Sequence, residues 1–528
     1  MKRKIFSLCI IPILLTGCSN KLPLEFVPLT DFIDPIDVNM EYPKEYFYRP
    51  ESIKPVSYKD GTIDSLNSLF SASNSDVPKT CLQSKGERKL LVIPIAFNDS
   101  DESTFEDKTI YIQNAFFGAK NHTNYDSVSG YYNKSSYGQV RLTGEVTPWF
   151  KADFNAYEWQ SISTTYTSVS SRLVAEAVDY LKENSNIDFS QYDTDEDGYI
   201  DGIYAIYDHP LDQNGETSTL FWAYTYYAKI NEAGFNKEEP FAKAYGWTSV
   251  DTIIQKDHKS YTNYLIHETG HLFGLEDYYN IFSSGTTLRT DFHYQPTGCF
   301  DMMDYNIGDH SSFSKYLLNW ASPLVVKQGI STTFKLKSFT QTGQYILVPS
   351  SDYDDSPFSE YLLIEYFTPD SLNRFSGSYT YVDRNGKVGV YNYPQHHGLR
   401  IYHVNARLGY FLKGRDNSNL LAFIDDPNYE SKLPSGKPVG VYYAYKNSLN
   451  NSKADDGEQV LVHLLESSGN NTFINGVPAN NETLFKIGDD FGINTFTDFK
   501  FSNGEHPNFT LKVKTLSEKD ITLEISTK

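Results

Sequence analysis

The sequence predicts an α+β fold: a mixed domain of strands and helices, followed by a β-rich, sandwich-like C-terminal region. Three observations predict it. Lys89-Leu90-Leu91-Val92-Ile93-Pro94-Ile95-Ala96-Phe97 is a nearly unbroken apolar run, as expected of a buried strand. Ser170–Leu181 carries Leu173, Ala177, Val178 and Leu181 at helical spacing. From about Pro323 onward short alternating runs recur between turn signals, among them Thr333–Lys337, Tyr361–Tyr366 and Thr510–Val513. A chain of 528 residues is too long for one core and shows no fixed-period repeat, so two or three domains are expected.

Composition narrows the function classes. The chain has 46 basic and 67 acidic residues, a formal charge of −21, and such a surface repels nucleic acid and anionic lipid heads. Aromatic residues make up 15% of it, with 41 Tyr and 34 Phe, whereas disordered chains are poor in aromatics. The cysteines are Cys9, Cys18, Cys81 and Cys299. The first two belong to the N-terminal leader, so one pair is left, which excludes a disulfide-dense scaffold or a cysteine-built zinc site. Cys81 and Cys299 either pair or stand as free thiols; a Cys81 thiolate that blocks a metal in a precursor is a third reading.

The elements follow in order. Residues 1–18 read as a lipoprotein signal peptide: Met1-Lys2-Arg3-Lys4, an apolar run from Ile5 to Leu15, then Leu15-Thr16-Gly17-Cys18. Small residues before a cysteine resemble the bacterial lipobox, which makes Cys18 the lipidated new N-terminus. No other stretch is long and apolar enough to cross a bilayer, so the expected membrane link is the lipid alone. Residues 19–85, with prolines at 23, 28, 35, 43, 50 and 55, read as a tether or a small pro-like segment. Residues 86–324 are expected to form a catalytic domain, and residues 325–528 the β-rich C-terminal domain or domains.

The segment Tyr264-Leu265-Ile266-His267-Glu268-Thr269-Gly270-His271-Leu272-Phe273-Gly274-Leu275-Glu276-Asp277 carries the chemistry. At 100° per residue, Leu265, Ile266, Thr269, Leu272 and Phe273 share one side of a helix. His267 and His271 fall one turn apart on the other side, with Glu268 near them. Two imidazoles at i and i+4 can bind one Zn²⁺ at about 2.0–2.1 Å each. Gly274 lets the chain turn sharply after the last helical turn, and that turn can return Asp277 to the metal as a third ligand. Glu276 is then expected to point away and to be dispensable. Glu268, next to a ligand histidine, serves as general base: it takes a proton from water and hands it to the leaving group. A thermolysin-like site, whose third ligand is a glutamate on a later helix, is the competing arrangement.

Downstream stands Cys299-Phe300-Asp301-Met302-Met303-Asp304-Tyr305. Met303 and Tyr305 match the x-Met-x-Tyr spacing of the tight methionine turn that metzincins place under their zinc. Met302 is the alternative methionine, but it loses the match to the tyrosine. Tyr305 could hydrogen-bond a tetrahedral oxyanion.

Asp193, Asp195, Asp197 and Asp201 occupy positions one, three, five and nine of a Ca²⁺ loop, with Gly198 at the sharp turn and Tyr199 at the position that ligates through its backbone. Tyr204 stands where an EF-hand has its bidentate glutamate, and a strand-like Ile203–Tyr207 follows. The loop is therefore EF-like, not an EF-hand, and its calcium would be structural.

These motifs together resemble the immune inhibitor A family of bacterial zinc metalloproteases, which is metzincin-like with the pattern HExxHxxGxxD. The likeness extends to Asp126–Tyr132 with Ser136-Tyr137-Gly138, the acidic loop Asp193–Gly202, Asp301–Asp304, Phe313–Trp320, Leu363-Ile364-Glu365 and Gly398–Val404. It covers about residue 88 to the end and is strongest from Asp193 to Trp320. Asn319 departs from it, standing where a glycine is common, and the lipid anchor is not a general family feature. The resemblance implies a zinc-dependent endopeptidase that hydrolyses peptide bonds of extracellular proteins, with zinc and usually calcium as cofactors. Protein or peptide substrates are then the expected partners, and the cell surface is the expected location, outside a bacterial membrane and held by lipid. The alternative is a catalytically inactive surface adhesin on a protease fold; intact His267, Glu268, His271 and Asp277 argue against it.

Overall fold

The apolar run around Leu91 becomes a central strand of a six-stranded sheet. A computed structural model describes residues 24–38, 40–72, 82–211, 219–228, 238–254, 259–280, 294–378, 380–382, 388–390, 393–413, 420–447 and 460–528. In the sheet, Gly86–Ala96 lies between Val140–Val146 and Ile203–Tyr207, with Phe150–Lys151 continuing beside it. Ala244–Ser249 follows in parallel, and Tyr224–Tyr227 closes that edge as the antiparallel strand. Both faces are covered, so the run is apolar without alternation. Leu91, Ile93 and Ile95 enter one core with Leu173, Val174, Ala177, Val178 and Leu181 of the helix Tyr166–Asn184, two turns of which extend beyond the predicted Ser170–Leu181. Leu90 and Val92 face the opposite core, shared with the helices Phe105–Phe117, Val128–Ser135 and Asn263–Leu272.

The C-terminal region contributes a second six-stranded sheet, in the order Phe47–Tyr48, Leu324–Val326, Tyr345–Pro349, Glu360–Phe367, Gly398–Asn405 and Val462–Leu465. All eight residues of Glu360–Phe367 are buried, so alternation fails there. The reason is that this sheet is covered twice. Tyr361, Leu363, Phe367, Tyr402 and Val404 join the core beneath the helix Asn263–Leu272. Leu362, Ile364, Tyr366, Leu399 and Ile401 join a core shared with a four-stranded sheet made of Ser331–Lys337, Asp520–Thr527, Phe509–Leu516 and Asp490–Phe491. Ser331–Lys337 and Phe509–Leu516 have one solvated face, and there the alternation is kept in the burial pattern.

The described part of the segment expected as a tether or pro-like piece is packed along both halves. Leu29 donates its N–H to Phe117 O (2.8 Å) and Ile36 to Tyr137 O (3.0 Å). Phe47–Tyr48 pairs with Leu324–Val326, and the helix Leu66–Ala72 buries Leu66, Leu69 and Phe70. Among the described residues no helix is long and apolar enough to cross a membrane. Cys18 and the rest of residues 1–18 lie outside the described residues, as does Cys81.

Candidate metal centre

The helix Asn263–Leu272 forms on the predicted faces: Leu265, Ile266, Thr269 and Leu272 are buried, and Phe273 follows as its C-cap. Its end is set by Gly274 at φ +96°, a left-handed value that glycine adopts without steric cost. Leu275 donates to Gly270 O (3.0 Å) and Gly274 to His271 O (2.8 Å), the paired bonds of a Schellman ending. That reversal returns the chain to the helix face it has just left.

Asp277 arrives there. His267 Nε2 and His271 Nε2 each lie 3.1 Å from Asp277 Oδ1. Both Nδ1 atoms face outward: His267 donates to Met302 O and His271 to Leu275 O, each at 2.8 Å. A backbone carbonyl can only accept, so Nδ1 of each ring carries a proton and Nε2 is the atom turned to Asp277, a donor when the ring is charged and a ligand when a metal takes that proton's place. Burial disfavours the charged imidazolium of both rings, yet the Asp277 carboxylate outweighs it. It pushes His271 up to about 10 and raises His267, while the two rings hold Asp277 well below the usual carboxylate range. Three side chains that can each offer one ligand atom thus face one point. Ligands about 2.05 Å from a tetrahedral metal stand about 3.3 Å apart, close to the spacing seen, so the donor set fits Zn²⁺. Asp277, not a glutamate of a later helix, stands against both rings.

Glu268 is buried, and its Oε2 accepts from Thr225 Oγ1 at 2.7 Å. Thr225 sits on the antiparallel edge strand, and nothing in the helix motif signals it. Met303 is fully buried; a Cβ placed on Gly270 would stand 2.4 Å from its Sδ, so the methionine packs under the helix where a side chain is missing. Its neighbour Met302 supplies the carbonyl that orients His267, so the two methionines do different jobs. Asp301 Oδ1 accepts from Met303 N (2.9 Å), and Tyr278 N donates to Met303 O (2.7 Å), which ties this turn to Asp277's neighbour. Tyr305 is 42% exposed, at the rim of the site. Its ring lies 4.8 Å from that of Tyr279, which lies 6.3 Å from that of His267. Tyr279 was not foreseen from the motif. Asn319 has φ +54°, a left-handed position where asparagine is the best tolerated substitute for glycine.

The acidic loop gathers Asp193, Asp195 and Asp197, each with an oxygen within 4.8 Å of the others. Asp193 accepts from the N–H groups of Asp197 and Gly198, both at 3.0 Å, and Asp197 from Tyr199 N at 2.9 Å. Asp201 stands outside that trio. It is fully buried, Oδ2 accepts from the N–H and hydroxyl of Thr194, and Oδ1 has no hydrogen-bond partner among the described residues. Burial pushes its carboxyl up to about 6 against the pull of the Thr194 hydrogen bonds. Cys299 is buried and a free thiol, raised in pKa by that burial. His403 is held by Glu360 at 2.8 Å.

Residues 93–303 match the family model described as immune inhibitor A peptidase M6, catalytic domain. No curated protein matches the chain.

Proposed function

Because residues 93–303 match the family model of the immune inhibitor A peptidase M6 catalytic domain, we propose that the chain is a zinc-dependent endopeptidase that hydrolyses peptide bonds of extracellular proteins while anchored by lipid at the cell surface. One observation carries the zinc reading: two Nε2 atoms converge at 3.1 Å on one oxygen of Asp277, with Glu268 alongside. His267, His271 and Asp277 would hold the ion. Bound there, Zn²⁺ would make a water acidic near neutral pH and polarise the scissile carbonyl. Glu268 takes the proton of the attacking water and delivers it to the leaving amine. Thr225 fixes which oxygen of Glu268 is free to do so. Tyr305, at the rim, donates to the oxyanion that develops on the substrate carbonyl. Met303 supports the helix from below. Asp193, Asp195, Asp197 and the backbone of Tyr199 would hold a structural Ca²⁺, with Asp201, outside that trio, acting through a water.

The test is digestion of an unfolded protein by the soluble form from Ser19 onward, with and without a zinc chelator. Glu268→Gln should lower the rate by about 10²–10⁴-fold while metal analysis still finds zinc. Native-like digestion by that variant removes the mechanism; zinc binding with no digestion by the native chain favours a surface-binding protein on a protease fold. The anchor rests on the order of charge, apolar run, small residues and Cys18 at the N-terminus. Cys18→Ala should move the protein out of the detergent phase or leave its leader uncut, and unchanged partitioning would count against the lipid.

A further inference from the structure

The short turn that carries Asp277 is gripped from outside the matched segment, on both sides. On one side, Leu82 donates its N–H to Leu272 O at 2.8 Å, at the last helical turn. Phe70, on the helix Leu66–Ala72, fills the notch that Gly274 leaves open: a Cβ there would lie 2.1 Å from Phe70 Cε2. On the other side, Glu276 accepts from Lys446 Nζ at 2.9 Å and from the hydroxyl of Tyr442. Asn447 donates to Tyr278 O at 2.9 Å and to Val462 O at 2.8 Å. The two grips meet, since the Phe70 and Tyr442 rings lie 6.1 Å apart and Lys446 Nζ sits 4.0 Å above the Tyr442 ring.

We propose that Phe70, Glu276, Tyr442 and Lys446 are positioning residues for the third metal ligand, so that the N-terminal segment and the C-terminal β region complete the metal centre. This rests on Asp277 being a ligand. Glycine at 274 and the residues after it have no regular structure to hold them. Asp277 is flanked by Glu276 and Tyr278, both anchored to the C-terminal region, and the reversal before it is filled by Phe70. The Lys446–Glu276 pair has side-chain exposures of 12% and 15%, so water screens it little and its geometry is firm. Glu276, which the motif alone marks as dispensable, thereby bears on where Asp277 points.

The experiment uses the full chain from Ser19. Zinc affinity is measured by competition with a chromophoric chelator, and the visible spectrum of the Co²⁺-substituted protein reports ligand geometry. Lys446→Met and Glu276→Gln should each bind zinc about 10-fold or more weakly, the size expected of groups that orient ligands, and should shift the Co²⁺ bands. The reversed pair, Glu276→Lys with Lys446→Glu, should recover affinity toward the native value. Leu523→Ala, in the core of the four-stranded sheet, controls for general destabilisation and should leave both readouts unchanged. Native affinity and native Co²⁺ bands in Lys446→Met and Glu276→Gln overturn the proposal, as does an equal loss in Leu523→Ala. Asp277→Ala separates the two levels: zinc retained at native affinity in that variant removes the ligand assignment itself, and this inference with it.

Discussion

A general base works only if one oxygen of its carboxylate is free and correctly aimed. Glu268 has its other oxygen taken by Thr225 Oγ1 at 2.7 Å. A hydrogen bond to a charged group contributes about 1.5–3 kcal/mol, which corresponds to about 10- to 100-fold in rate when it acts on the transition state. Thr225→Val is therefore expected to lower kcat on a peptide substrate by that factor with KM little changed, and Thr225→Ser to restore it. Steady-state kinetics on the three proteins decide this; a Val variant with native kcat leaves Thr225 a strand residue only. At this scale the helix motif was readable because its residue types are chemically constrained: imidazoles suit a metal, a carboxylate suits proton transfer, and a glycine makes the turn. Thr225 was not readable, because a hydroxyl on a β-strand has many uses.

At the scale of the element, the acidic loop is the part most open to a direct test. Asp201 is buried with its carboxyl pushed up to about 6. A carboxyl whose folded pKa exceeds its unfolded value of about 3.9 favours the folded state most below about pH 4 and loses that contribution as pH rises through about 6. Above that range a bound cation would supply the positive charge that the proton supplies below it. Calcium added to zinc-loaded, calcium-depleted protein should therefore raise Tm by a few degrees at pH 7.5 and by much less at pH 5. Asp195→Ala should blunt the rise at pH 7.5. Calorimetry checks both; equal shifts at the two pH values, or in the two proteins, would mean that calcium acts elsewhere. The loop's spacing was visible in the sequence because position one, accepting from the N–H groups at positions five and six, is a local arrangement. The separation of Asp201 from the trio was not visible, since it depends on Thr194 and on the strand Ile203–Tyr207 that follows.

For the whole molecule, the division at about residue 324 does not coincide with a gap in the packing. One core runs from Val38 through Leu265 and Met303 to Tyr361, Tyr402 and Leu484. The sheet that includes Glu360–Phe367 gives one face to the helix core and the other to the four-stranded sheet. A fragment of residues 86–324 would lack the strands that cover the turn Asp301–Asp304 and would expose a broad apolar surface. It is expected to show no cooperative thermal transition and weak near-ultraviolet circular dichroism, whereas the chain from Ser19 shows both. A fragment with a sharp, reversible melt would establish an independent domain.

What the sequence by itself determined was local. The i, i+4 histidines, the glycine three residues after the second, and the aspartate ten residues after the first specify a helix, a reversal and a returning carboxylate, because backbone geometry over a dozen residues follows from residue type. The buried run Lys89–Phe97 and the helix around Leu173 were legible for the same reason. Only the tertiary structure decided what stands around them. Thr225 is 43 residues from Glu268, Met302 is 35 from His267, and Lys446 is 170 from Glu276. Those contacts depend on sheet order and on which faces are covered, and periodicity in one stretch of chain carries no record of a strand that arrives from elsewhere.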